Sequence, residues 1–165
     1  MITISKVKDS LRVGITFGLT SAVITTLGLM VGLNASTKSK LVVIGGILTI
    51  AIADAFSDAL GIHLSEESEK IHGNFEVWLS TIFTFLAKFL FALTFLVPVL
   101  LLELSTAMIA SIAWGLCILT ILSFIIARES QTKAYKVITE HLVVAVVVIF
   151  MSTIVGNWIG TIFYQ

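Results

Sequence analysis

The sequence predicts an all-α integral membrane protein with five transmembrane helices. Of the 165 residues, 58% are hydrophobic and only 12% are charged, and the mean hydropathy is +1.09, well above the soluble globular range. A helix needs about 20 apolar residues to cross the hydrocarbon core of a bilayer. Five stretches of the chain meet this requirement and together form a single domain: residues 13–33, 41–64, 77–102, 106–127 and 142–163.

The first span is too long for the apolar region of a signal peptide, and Asn34-Ala35-Ser36 is a poor cleavage site, so we interpret it as a membrane span.

The first and fifth spans are rich in glycine at a spacing that suits close helix packing. GxxxG spacing lets two helices approach closely. Three such pairs are present: Gly14 and Gly18, Gly28 and Gly32, and Gly156 and Gly160.

The remaining spans differ in their polar content. The second span carries two aspartates, Asp54 and Asp58, and the third carries Lys88. Pro98 is the only proline and is expected to kink or end the third span. The fourth span is apolar with Trp114 inside it, and we see no chemistry there.

The distribution of Lys and Arg predicts the orientation. Cytoplasmic loops carry an excess of these residues. Placing the N-terminus in the cytoplasm puts seven of them inside, Lys6, Lys8, Arg12, Lys70, Arg128, Lys133 and Lys136, against Lys38 and Lys40 outside. We therefore predict a multi-pass protein of the cell membrane, or of the plasma membrane in a prokaryote, with the C-terminus outside.

The two aspartates of the second span are the strongest functional signal. At 3.6 residues per turn, Asp54 and Asp58 lie within roughly 40° of each other and look the same way. A carboxylate near the bilayer centre costs on the order of 3 kcal/mol, so two of them require a cation nearby. Acids inside a membrane mark ion pathways or proton relays, which makes function the leading interpretation.

Lys88 supports the competing structural interpretation. Counting 1.5 Å per residue from the cytoplasmic surface, Asp54 lies about 16 Å deep and Lys88 about 18 Å deep. The two side chains can therefore meet. A structural pair between Asp54 and Lys88 would satisfy one aspartate without any ligand.

The end of the second span is acidic and also contains a histidine. His63 with Glu66 or Glu67 has a spacing at which imidazole and carboxylate on adjacent turns can share a divalent ion. Glu69 remains on the Asp54 side if the helix continues. The alternative is a solvated acidic helix end with no ligand.

Several functions are excluded by what the sequence lacks. It contains no Gly-rich phosphate loop, nucleophile with base, zinc signature or cofactor motif, so we expect no enzyme activity and no permanent cofactor. Its basic residues are scattered over loops and form no patch, so we expect no nucleic-acid partner. Cys117 is the only cysteine and cannot form an intrachain disulfide.

Two segments resemble the vacuolar iron transporter family, whose members move ferrous iron and manganese. They are GLTSAVITTLGLMVGL at 18–33 and IADAFSDALGIHLSEESE at 52–69. The family typically reads ADALSMGxGEYLSxxSE in the second helix. The resemblance implies five spans with the N-terminus in the cytoplasm, a divalent cation as substrate and a homodimer with its pathway at the two-fold interface.

The chain also departs from the family pattern. Ser21 stands where the family has an aspartate in the first helix, and Asp58 stands at the family's methionine. Ile62 and His63 replace the family's Glu-Tyr pair. A carboxylate in place of a thioether favours oxygen-preferring manganese, magnesium or calcium relative to ferrous iron. The cytoplasmic metal-binding insertion that many relatives carry between the second and third spans is absent.

We therefore expect a divalent-cation (Fe²⁺ or Mn²⁺) transporter that acts as a homodimer in the lipid bilayer. It would export the ion from the cytoplasm, with aspartate protonation coupling export to a proton gradient. The expected metal ligands are Asp54, Asp58, Glu69, His63 and Glu66, and the expected pathway-lining residues are Ser21, Thr25, Met30 and Ser57. The alternative is a non-transporting membrane scaffold or partner-binding subunit in which Lys88 neutralises Asp54.

Overall fold

The computed structural model describes residues 4–69 and 73–163, and every regular element in these two ranges is an α-helix. Helices α3 and α4 follow each other closely and count as one span, so the described chain has five helices long and apolar enough to cross a membrane. The predicted all-helical class is thereby confirmed, and so is the presence of five helices long and apolar enough to span a membrane. The helices are α1 (Ile4–Thr37), α2 (Lys40–Glu69), α3 (Asn74–Thr94), α4 (Leu96–Leu101), α5 (Leu104–Glu129) and α6 (Ala134–Phe163).

The helices extend beyond the apolar stretches that predicted them. Helix α1 has 34 residues and is therefore about 51 Å long, whereas the hydrocarbon core is about 30 Å thick. Residues 4–12 contain neither proline nor glycine, so nothing in them stops the helix where the apolar stretch begins. Hydropathy locates the part of a helix that suits lipid, and it does not locate the helix ends.

Proline interrupts the third span close to the position that the sequence predicts. Helix α3 ends at Thr94, and α4 begins at Leu96 after Phe95. Pro98 has no N–H to donate to the carbonyl four residues earlier, which is that of Thr94. The side-chain hydroxyl of the same residue, Thr94, accepts a hydrogen bond from Trp114 Nε1 at 3.2 Å, and this contact links the break to α5.

Helix α1 occupies the centre of the bundle. It packs against α2, α3, α5 and α6, and its side chains Val23, Leu27 and Met30 are almost completely buried. They form one hydrophobic cluster with residues of the other helices, including Phe95 and Leu119. The other helices therefore surround α1 and are arranged by their contacts with it.

Glycines bring α1 and α3 into close contact. A Cβ added at Gly14 would lie 2.5 Å from the Ser80 carbonyl oxygen, and one added at Gly18 would lie 2.7 Å from that of Thr84. Contacts shift along both helices in the same direction, so α1 and α3 run parallel. Only glycine allows two backbones to approach this closely.

The other two glycine pairs join α1 to α6. A Cβ at Gly28 would lie 2.7 Å from Val148 Cγ1, and one at Gly160 would lie 3.0 Å from the Ser36 carbonyl oxygen. Each GxxxG pair therefore serves a contact within the chain. Helix packing, the simpler of the possible roles of these motifs, accounts for all three.

Polar contacts tie the helices together at one end of the bundle. Arg12 Nε lies 2.7 Å from Glu129 Oε2, so the start of α1 and the end of α5 lie at the same end. Nearby on the α5–α6 pair, Ser123 Oγ lies 2.8 Å from His141 Nδ1. The loop between α1 and α2 lies at the opposite end, where Lys40 Nζ donates to the carbonyl of Leu102 at 3.0 Å.

Candidate functional site

Three charged side chains meet in the middle of the bundle. Lys88 Nζ lies 2.5 Å from Asp54 Oδ2 and also forms an ion pair with Asp58 Oδ2. It donates a third contact, a hydrogen bond of 2.8 Å, to Ser21 Oγ. Asp54 and Asp58 belong to α2, Lys88 to α3 and Ser21 to α1, so the cluster joins three helices.

Lys88 is buried among these partners. Of the three N–H donors of its ammonium group, two form hydrogen bonds with Ser21 and Asp58, and Asp54 is held as an ion pair. The side chain is 2% exposed. The structural interpretation of the sequence expected Lys88 to neutralise Asp54, whereas in the structure Lys88 pairs with both carboxylates.

The carboxylates are less completely satisfied than the lysine. Asp54 Oδ2 is buried and accepts no hydrogen bond in good geometry, so the nearby ammonium balances its charge by proximity alone. The side chains of Asp54 and Asp58 remain 26% and 19% exposed. Within residues 4–69 and 73–163, no second cation contacts either carboxylate. With all three groups ionised, the cluster carries a formal charge of −1.

The packing of α3 against α1 explains why the lysine is held so deeply. The buried face of α3 places a polar side chain at every fourth residue: Glu76, Ser80, Thr84 and Lys88. This face lies against Gly14 and Gly18 of α1. The spacing is visible in the sequence, although we did not identify the first three of these residues there. Their four-residue repeat was the signal that could have found them.

A groove leads along α2 to the cluster. It has a volume of about 620 Å³ and lies between α1 and α2, with Leu33 and Val42 toward the loop that joins the two helices. Asp54 and Ser57 line the groove near the middle of α2. One carboxylate of the cluster is therefore reachable from this groove.

The predicted pathway residues occupy different places. Ser21 contacts Lys88 directly, and Ser57 lines the groove beside Asp54. Thr25 lines a second groove of about 510 Å³ that runs over α1 between α2 and α6. Met30 has no exposed surface and lies in the hydrophobic cluster that also contains Phe95 and Leu119.

The acidic side chains at the end of α2 lie on two different sides of the helix. Glu66 is 6% exposed and points into the bundle, whereas Glu67 lines a small cavity together with His63. Glu69 is exposed in the last turn of α2. The structure therefore places His63 beside Glu67 and turns Glu66 away from it.

No ready-made metal centre is formed by protein ligands alone: in the described ranges, no group of three or more His, Cys, Asp or Glu side chains is placed to hold an ion. At the central cluster, a cation would have two carboxylates and would meet Lys88 between them. The chain matches no protein-family model, no curated protein and no solved structure.

Proposed function

We propose that this protein is a membrane transporter for a divalent cation, and that the cation takes the place of Lys88 between Asp54 and Asp58. The observation that carries the proposal is the imbalance of the buried cluster, which has two carboxylates against one ammonium. A permanent structural pair needs only one carboxylate per lysine. The second carboxylate adds a desolvation cost of several kcal/mol that the fold alone does not require.

Charge balance supports exchange between Lys88 and the cation. A divalent ion neutralises two carboxylates, whereas a divalent ion together with the ammonium group would leave the cluster with a formal charge of +1. Binding of the ion therefore requires the ammonium group to leave. The long, flexible stem of lysine makes such a movement feasible without a change in the helices.

The chemistry of the cluster favours a hard cation. Its ligands are carboxylate oxygens and the hydroxyl of Ser21, which suit Mn²⁺, Mg²⁺ or Ca²⁺ better than softer ions. The resemblance to the vacuolar iron transporter family supports Mn²⁺ or Fe²⁺ as the substrate. The resemblance also adds a homodimer to the proposal. Protonation of the aspartates would couple export from the cytoplasm to a proton gradient. The groove over α1 between α2 and α6 offers a surface that a second copy would cover.

Transport by purified protein tests the role of the cluster. We expect proteoliposomes with the wild-type chain to take up Mn²⁺, and Asp54→Asn to lower the initial rate at least tenfold, because one of two ligands is lost. Asp9→Asn is the matched control, since Asp9 is the only other aspartate and its carboxylate accepts an exposed hydrogen bond from Ser5. Equal rates for the wild type and Asp54→Asn would remove Asp54 from the mechanism.

We further propose that the end of the bundle with Arg12 and Glu129 faces the cytoplasm. That end carries most of the basic residues, whereas Lys38 and Lys40 lie at the opposite end. A reporter fused after Gln165 should therefore be active only if it functions outside the cytoplasm. Fluorescence of a cytoplasmic reporter, such as green fluorescent protein, together with no activity of an exported phosphatase would show the opposite orientation.

One observation favours a different function, a membrane scaffold or partner-binding subunit without transport. Lys88 finds three partners inside the bundle, two by hydrogen bonds and Asp54 by an ion pair, as expected for a structural lysine. A scaffold would show no Mn²⁺ uptake in any variant. It would also show no metal-dependent rise in melting temperature when Lys88 is removed.

A further inference from the structure

A second polar site lies at the Glu69 end of α2, apart from the central cluster. His63 on α2 faces α3, where its Nδ1 atom lies 3.0 Å from Thr81 Oγ1. Its ring also packs edge-on against Trp78, with 4.7 Å between the ring centroids. Two contacts with α3 therefore fix the orientation of the imidazole.

The hydrogen bonds determine which nitrogen of His63 carries the proton. Thr81 Oγ1 donates its only hydrogen to the Val77 carbonyl oxygen at 2.7 Å. The hydroxyl must then accept the hydrogen bond from His63, so Nδ1 is the protonated nitrogen. In the neutral imidazole, the lone pair then belongs to Nε2. Metal-binding histidines commonly have this arrangement, in which the other ring N–H is donated to a fixed acceptor.

Two residues with side-chain oxygens line a cavity together with His63. This cavity of about 120 Å³ is lined by His63, Glu67, Asn74, Val77 and Trp78. Glu67 lies one turn after His63 on the same face of α2. Asn74 is the first residue of α3. The lining of one small space therefore includes an imidazole and a carboxylate from α2 and an amide from α3.

The cavity suits an ion better than an organic molecule. Organic ligands occupy pockets of about 300–1,000 Å³, whereas this cavity holds about four water-sized groups. Acidic residues in the last turns of α2 add to the negative end of the helix dipole and favour a cation there. The imidazole nitrogen favours a first-row transition metal over Mg²⁺ or Ca²⁺.

We propose that His63, Glu67 and Asn74 bind a divalent transition-metal ion at this end of α2, with water completing its coordination. The sequence pointed to His63 with either Glu66 or Glu67, and the fold selects Glu67 and adds Asn74. The site is separate from Asp54 and Asp58. Its occupancy does not require transport, although it would concentrate a metal ion next to a transporter.

The fluorescence of Trp78 provides a direct test. Trp114→Phe and Trp158→Phe leave Trp78 as the only tryptophan, and its ring contacts that of His63. Co²⁺ added to this protein in detergent should quench the emission with a saturable curve, and Zn²⁺ should reverse the quenching by competition. Mg²⁺ at the same concentration should have no effect.

Substitutions in the same single-tryptophan chain identify the ligands. We expect His63→Gln and Glu67→Gln each to weaken Co²⁺ binding at least tenfold, whereas Glu66→Gln and His141→Gln leave it unchanged. Thr81→Val should weaken binding about tenfold by freeing the imidazole ring. Asp54→Asn should leave binding unchanged, which separates this site from the proposed transport site. Unsaturable quenching, competition by Mg²⁺ as strong as by Zn²⁺, or equal affinity after His63→Gln would overturn the proposal.

Discussion

Replacing Lys88 with methionine should lower the free energy of unfolding by about 3–5 kcal/mol, because it leaves buried carboxylates without a counter-charge. Methionine retains most of the volume and length of lysine, so the substitution removes the charge with little change in packing. Unfolding in detergent by a denaturant, followed by circular dichroism, measures the loss. Lys133→Met serves as the control because Lys133 is exposed beyond the end of α5.

The same variant distinguishes a transporter from a scaffold. If Lys88 occupies the position of the transported ion, Mn²⁺ should raise the melting temperature of Lys88→Met more than that of the wild type, since binding to the folded state alone stabilises it. The neutral triple variant Asp54→Asn/Asp58→Asn/Lys88→Met should recover most of the lost stability, and Mn²⁺ should not change its melting temperature. A stable Lys88→Met protein, or one whose melting temperature is insensitive to Mn²⁺, would contradict exchange between lysine and metal.

Sequence reasoning was sufficient for the fold class because the physical requirement is simple. A membrane span needs a certain length of apolar residues, and each of the five stretches meets it. The break in the third span was also predictable, since Pro98 removes one specific hydrogen bond. The helix ends were not predictable from hydropathy, because polar residues 4–12 continue α1 beyond the apolar stretch.

The central cluster was predicted only in part. Helical periodicity placed Asp54 and Asp58 on one face, and depth counting brought Lys88 to the same level. Neither argument includes the rotation of α3 about its own axis, which decides whether the ammonium meets one carboxylate or both. That rotation follows from the fit of Gly14 and Gly18 against α3, which is a property of two helices together.

The His63 site shows the same limitation on a smaller scale. Spacing along α2 allowed either Glu66 or Glu67 as the partner of His63. The contact with Thr81 orients the imidazole, and the packing of α2 in the bundle buries Glu66 and leaves Glu67 at the cavity. A sequence shows which ligands are available on one helix, whereas the neighbouring helix selects among them.

The contact between α1 and α3 should therefore control the central cluster as well as the stability of the bundle. We expect Gly18→Leu to lower the free energy of unfolding by about 1–3 kcal/mol or more through overpacking, because even a Cβ there would lie 2.7 Å from a backbone oxygen of α3. Gly45→Leu is the matched control, since in the described part of the chain a Cβ at Gly45 would meet no side chain and no backbone of another helix within 4 Å. That substitution should be neutral or mildly stabilising, because leucine favours a helix more than glycine does.

The two leucine variants also test whether close helix packing holds Lys88 between the carboxylates. Separation of α3 from α1 moves the ammonium away from Ser21, which belongs to α1, while Asp54 and Asp58 stay on α2. Gly18→Leu should therefore expose Lys88 to an amine-reactive reagent in detergent, and Gly45→Leu should leave it as protected as in the wild type. Mass spectrometry of the labelled peptide measures this difference. Equal protection of Lys88 in both variants would show that its pairing with α2 survives without the glycine contact, and the cluster would then be held by charge alone.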